Sequence, residues 1–294
     1  MDSWKATPNG SPIRAMTCDV EDYFQVSAFN DHVSRSDWEN LDCRVPRNID
    51  LILERFLESD VKATFFTLGW VAGHYPEVVQ RIVAAGHEIA SHGMQHIQVW
   101  QQSPAEFRED ALTARKLLED VSGVPVVGYR AASWSMDDRT PWAHDMLAEA
   151  GYKYSSSTYP IRHDHFGVPD APIRPNYVGD SGVLEVPASV ARIFGRNLPA
   201  SGGGYFRLYP LRFSTWLIDR IEASGEAPYV FYFHPWEMDP GQPRMKGVSA
   251  KSRFRHYLNL SKFEERLGTL LDRYRWGRMD HLFLTDPTLG TKYS

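Results

Sequence analysis

The sequence predicts an α/β fold with a parallel sheet, for which a barrel with helices outside is favoured over an open doubly wound sheet that would show the same alternation. Three observations lead there. Apolar runs of strand length alternate with longer stretches of helical periodicity, the pattern of strand–helix–strand units on a parallel sheet. About seven such strands can be counted along the chain. The length, 294 residues, suits one α/β barrel.

Taken in order, residues 1–14 read as a polar, flexible lead-in without the apolar centre of a signal peptide. An apolar run starting at Ala15 ends at Asp19. Asn48 is placed to cap a helix that carries Ile49, Ile52, Leu53, Phe56 and Leu57 on one face. "VKATFFTL" follows as a strand, "PEVVQRIVAAG" as a helix with Gly86 just past its end, and "HEIASH" as a strand. "SPAEFREDALTARKLLEDVSG" opens on a capping box of Ser103 and Glu106, with Pro104 in the first turn. "VPVVGYRA" reads as a strand, and "TPWAHDMLAEAG" as a helix with a Thr-Pro start and a Gly stop. "YKYSS" and "VLEVP" read as strands, "LRFSTWLIDRIEASG" as a helix, "PYVFYFH" as a strand and "SKFEERLGTLLDRYRW" as the last long helix. Residues 160–210 break the rhythm with many Pro and Gly residues, as long functional loops do. One catalytic domain is expected over residues 15–294, with a C-terminal extension from about residue 240.

Composition narrows the function. A net charge of −5 gives no basic field for nucleic acid or an anionic membrane. No window reaches the ~18 apolar residues of a membrane span, so a cytoplasmic location is expected. Cys18 and Cys43 form neither a disulfide framework nor a metal-type spacing and read as reduced thiols. The chain is rich in aromatics, with 9 Trp, 14 Tyr and 15 Phe, whose rings suit stacking on sugars.

The ionisable residues fall at strand ends. Asp19, Glu21 and Asp22 close the first strand, His92 closes "HEIASH", Arg130 closes "VPVVGYR" and His234 closes "PYVFYFH". In parallel α/β folds, active sites gather at the carboxyl ends of strands. His92 and His96, read as i and i+4 of a helical turn, can share a metal. One carboxylate completes a His₂-carboxylate site with positions left for water and substrate. Such a cation offsets the repulsion among three adjacent acids. Asp19 and Glu21, two apart on an extended strand, face the same side, so one can bind metal while the other serves as base. His234 is the candidate acid and Arg130 the candidate partner of the base. These are the parts of metal-assisted amide or ester hydrolysis.

The segments "TCDVEDYF", "GHEIASHGMQH", "GYRAASWSM", "GYKYSSSTYP" and "FYFHPWEMDP" occur in the order of those of the polysaccharide deacetylases, carbohydrate esterase family 4, which this chain resembles from about Ala15 to Asp239. "VEDYFQVSAF", "GGGYFRLYP" and the C-terminal piece resemble a bacterial subgroup linked to exosortase-associated exopolysaccharide loci. The resemblance implies a deformed (β/α)7-type barrel, a divalent metal, often zinc, and removal of acetyl from N-acetylhexosamine units. It implies Asp19 as general base, His92 and His96 as metal ligands, Arg130 as orienter of the base and His234 as general acid. It leaves the carboxylate ligand open. The commonest pattern has adjacent aspartates where Val20 follows Asp19 here. An Asp-x-Asp branch points to Glu21, with Asp22 as the alternative. Ala132 and Ser155 replace a proline and an aspartate found in many relatives. Ser201–Tyr205 and Arg162–Phe166 are expected to line the substrate cleft. Two other functions stay open at this point: a metal-dependent hydrolase of small cyclic ureides or amides, and a non-catalytic glycan-binding barrel.

Overall fold

The computed structural model describes residues 13–225 and 228–284. The expected lead-in of residues 1–14 therefore lies outside the described residues, apart from residues 13–14. These already belong to the first strand.

The elements are β1 (Ile13–Val20), α1 (Val45–Glu58), β2 (Thr64–Thr67), α2 (Gly69–His74), α3 (Pro76–Ala84), β3 (Glu88–Ser91), α4 (Pro104–Ser122), β4 (Gly128–Tyr129), α5 (Ala143–Glu149), β5 (Tyr154–Ser155), β6 (Asn176–Tyr177), β7 (Leu184–Glu185), β8 (Val190–Ile193), β9 (Arg196–Pro199), α6 (Gly203–Leu208), α7 (Leu211–Ser224), β10 (Val230–Phe233), α8 (Ala250–Tyr257), α9 (Phe263–Arg273), β11 (Arg275–Gly277) and α10 (Met279–Phe283). The main sheet runs β10-β1-β2-β3-β4-β5-β7-β6, and β8 and β9 form a separate hairpin. Every pairing from β10 to β7 is parallel; only β6 runs antiparallel to its neighbour. Among the described residues the outer strands β10 and β6 do not pair, so the barrel is a curled, open sheet.

Strands β2, β3 and β10 are buried along their whole length, as strands of a parallel sheet covered on both faces are. Ile49, Ile52 and Phe56 of α1 pack onto Phe65 and Phe233 in the main core. Leu57, expected on that face, is 76% exposed. The expected cap of α1 is also corrected. Asn48 lies buried inside the helix, because Pro46 starts it earlier. The side chain that caps it comes from elsewhere: Asp22 Oδ2 accepts the backbone N–H groups of Arg44 and Val45. The capping box of Ser103 and Glu106 opens α4 as expected, with Gly123 in the left-handed conformation at its end.

The last long helix is shorter than its periodicity suggests. It stops at Arg273, where Tyr274 turns extended, and residues 275–277 become β11, parallel to the start of β1. Trp276 is buried with its Nε1–H donated to the Leu270 carbonyl. Met279 and Phe283 of α10 then pack with Ala15, Phe66 and Tyr154 inside the curl of the sheet.

Candidate active site

Each strand delivers its group to one rim. Asp19 is in β1, His92 directly follows β3, Arg130 directly follows β4 and His234 directly follows β10. All four are buried or nearly so. β1 ends at Val20, and a tight turn with Glu21 N–H donating to the Asp19 carbonyl at 2.9 Å carries Glu21 into the same space.

Glu21, His92 and His96 form one cluster, with a donor atom from each within 4.8 Å of the others. The histidines do not sit on a helix, as the spacing suggested. Residues 92–98 form a loop in which Gly93 and His96 hold φ of +77° and +52°. Its carbonyls at Gly93 and Met94 accept the N–H groups of Gly69 and Trp70 at the start of α2. Arg35 bonds the carbonyls of Gln95 and His96, and Asp110 accepts the Met94 N–H. Sequence reasoning did not pick out Arg35 or Asp110.

The cluster fits a divalent cation. His92 Nδ1–H donates to the Arg130 carbonyl at 2.8 Å, which fixes the tautomer and leaves the Nε2 lone pair free. Glu21 Oε2 lies 2.9 Å from His96 Nε2, yet it is a buried oxygen without a hydrogen-bond partner. Two atoms aimed at a common third point give that geometry. Burial opposes the Glu21 charge, but His96, then His234 and His92, outweigh it and hold its carboxyl down to about 2. Burial pushes His92 down to about 4, so the ring is neutral at pH 7. A carboxylate and two imidazoles are a catalytic donor set for zinc-like ions.

Asp22, the alternative carboxylate, is turned away from that cluster. Besides capping α1, its Oδ1 accepts the Tyr23 N–H at 2.7 Å, so three backbone donors occupy it. Burial pushes it up to about 6 despite those bonds.

Asp19 sits beside the cluster. Arg130 Nη1 bonds Asp19 Oδ1 at 2.6 Å and Thr17 Oγ1 at 2.8 Å. Its other nitrogens bond the Ser156 carbonyl and hydroxyl, each at 3.0 Å. The guanidinium lies against Phe66, Trp134 and Tyr232. Thr17 and Ser156 are supports that motif reading passed over.

His234 completes the group. Its Nε2 is 3.6 Å from Glu21 Oε1 and 4.0 Å from Asp19 Oδ2. Its Nδ1 is 3.1 Å from Glu237 Oε2. Burial would neutralise the ring, but Glu237, Glu21 and Asp19 raise it to about 9, so it is an imidazolium at pH 7. Trp236 stacks on it and points its N–H at Glu21.

The two segments expected at the cleft reach an aromatic group next to Arg130. Phe166 stacks on Tyr159, and Tyr205 packs on the cluster of Trp134, Tyr159 and Tyr232. Asp164 is tied to Lys251 and Arg255 of α8. Ser201 is used internally: its hydroxyl bonds the Val230 carbonyl, and its carbonyl accepts Tyr159 OH. Ser133 and Trp134 both hold φ of +55° beside Arg130. Such strain is commonest where a site dictates the backbone.

The chain is similar to known proteins in sequence and in fold. Residues 38–155 match the polysaccharide deacetylase family, and residues 156–284 match a domain of unknown function, DUF3473. A chitooligosaccharide deacetylase of Bradyrhizobium sp. (strain ANU 289) is 31% identical over 97 residues, 33% of this chain and 42% of that protein. A peptidoglycan deacetylase of Helicobacter pylori (strain ATCC 700392 / 26695) is 28% identical over 118 residues, 40% of this chain and 38% of that protein. The chain thus spans less than half the length of these curated relatives. A crystal structure from Mycobacterium smegmatis assigned to the polysaccharide deacetylases shares the fold, with a TM-score of 0.57, 22% identity and coverage of 92% of this chain and 89% of that one. Over residues 38–155 the chain is thus similar to the polysaccharide deacetylase family.

Proposed function

We propose that the chain is a metal-dependent N-deacetylase acting on N-acetylhexosamine units of a bacterial exopolysaccharide or its precursor, with zinc as the metal. One observation carries the reading: a buried Glu21–His92–His96 cluster lies beside a carboxylate held by Arg130 and an imidazolium held by Glu237. The relatives named above act on chitooligosaccharide and peptidoglycan, both N-acetylated glycans, and support the substrate class. Glu21, His92 and His96 would hold the cation, which supplies Lewis acidity, lowering the pKa of water and drawing charge from the acetyl carbonyl.

The chain's own residues do the rest. Asp19, fixed by Arg130, takes a proton from the attacking water as its oxygen adds to the acetyl carbon. His234 gives its Nε2 proton to the departing nitrogen as the C–N bond breaks, leaving a free amine and acetate. Burial makes each charge–charge contact count for more than it would in water. Trp134, Tyr159 and Phe166 supply rings on which a hexosamine can stack. We treat residues 13–284 as one catalytic unit, because β11 and α10 of the extension pack on β1 itself.

The test is acetate release from a panel of N-acetylated oligosaccharides and lipid-linked precursors. Release is expected, abolished by a chelator and restored by Zn²⁺. Metal-loaded protein that releases no acetate from any of them overturns the reading.

A further inference from the structure

The glycine-rich stretch "SGGGYFR", residues 201–207, and the C-terminal extension have no part in the mechanism above, yet both lead to the same atom. Glu237 is fully buried and is not part of the cluster of Glu21, His92 and His96. Its Oε2 accepts both the His234 N–H at 3.0 Å and the Nδ1–H at 3.1 Å. Its Oε1 accepts Arg207 Nε at 2.7 Å. Arg207 is itself 1% exposed. It spends its remaining donors on the extension, bonding the carbonyls of His256 at 2.9 Å, Leu258 at 2.6 Å and Arg255 at 3.3 Å. Gly203 makes the approach possible, since a Cβ there would lie 2.0 Å from Glu237 Oε2.

We propose that Glu237, clamped by Arg207 and through it by residues 255–258, is the positioning residue that orients the general acid His234. The inference rests on the N-deacetylase reading. A buried imidazole that accepts or donates at Nδ1 in only one way has a fixed ring plane and a fixed tautomer. With Nδ1–H committed to Glu237, the second proton resides on Nε2, the nitrogen that faces Asp19 and Glu21. Ser155, which stands where many relatives have an aspartate, bonds Ser157 Oγ at 2.8 Å. Within this chain the carboxylate that steadies the acid thus comes from three residues downstream of it, and the arginine that steadies the carboxylate is held by the extension.

The test separates proton donation from folding by changing the leaving group. An acetamide nitrogen needs a proton to depart; the phenolate of 4-nitrophenyl acetate does not. Glu237→Gln is expected to lower kcat on an N-acetylated oligosaccharide by about 10²-fold or more, with KM and bound zinc unchanged, and to keep aryl acetate hydrolysis within about threefold. Equal losses on both substrates, or no loss on either, overturn the proposal. Wild-type protein that hydrolyses neither substrate refutes the deacetylase reading, and a second measurement still decides this one. In ¹⁵N NMR of the zinc-loaded protein, His234 is expected to show a slowly exchanging Nδ1 proton that Glu237→Gln releases. An Nδ1 signal identical in the two proteins overturns the clamp whatever the activity.

Discussion

The two flanks of the site are built by different means. On the base flank, Asp19, His92 and Arg130 leave neighbouring parallel strands, and the barrel itself sets their spacing. Arg130 is satisfied by Thr17 of β1 and by Ser156, which directly follows the next strand, β5. On the acid flank only His234 comes from the barrel. Its partner Glu237 lies in the turn that follows, Arg207 comes from α6, and the acceptors for Arg207 come from the extension. The base flank belongs to the fold; the acid flank is an assembly around it. Damage to the first should empty or disarm the site, and damage to the second should slow one proton transfer.

The largest expected effect is on the base flank. His92→Ala should release the metal and cut acetate production by about 10³-fold or more, checked by metal analysis beside activity. Asp19→Asn should lower kcat by about 10²–10⁴-fold while metal content stays at the wild-type level. Metal loss in that variant would merge the two roles we separate. On the acid flank, Gly203→Ala displaces the Glu237 carboxylate, and amide turnover should fall by up to about 10²-fold with the aryl ester spared. Equal loss on both substrates would show that the two flanks are one cooperative unit.

Stability changes come next. Asp22→Ala strands the N–H groups that open α1 and should cost about 2–3 kcal/mol by urea unfolding. Bound metal should be unchanged, and a loss of metal would restore Asp22 as a ligand. The smallest effect is pH dependence. Burial holds His256, stacked beneath Trp236, down to about 3, against 6.5 when unfolded. A depressed histidine contributes its full stability above pH 6.5 and loses it as pH falls toward 3. Between pH 7 and 5 this costs at most about 2 kcal/mol. His256→Gln should flatten that slope, and an unchanged slope would assign the acid sensitivity elsewhere.

The groups that leave the barrel strands, on both flanks, were legible because chemistry at strand ends follows from the alternation of strands and helices. Asp19, His92, Arg130 and His234 each end an apolar run, so their convergence needs only the fold. The His-x-x-x-His spacing picked out two rings that do come together, but not on a helix: a loop with left-handed residues, pinned by Arg35 and α2, brings them there. Asp22 could not be separated from Glu21 by spacing, because its partners sit 22 and 23 residues away at the head of α1. Nor could periodicity find β11, a three-residue strand whose only warrant is its pairing with β1. Arg207 and Glu237 are 30 residues apart and lie in stretches that read as loop and turn, where no period relates one side chain to another.

The clamp on Arg207 has a consequence for how this protein can vary. Its acceptors at residues 255, 256 and 258 are main-chain oxygens, present whatever side chain the position carries. Exposed positions such as Arg255 can therefore change identity while the grip persists, provided the local backbone path is kept. A deletion of one residue there would do what substitution does not.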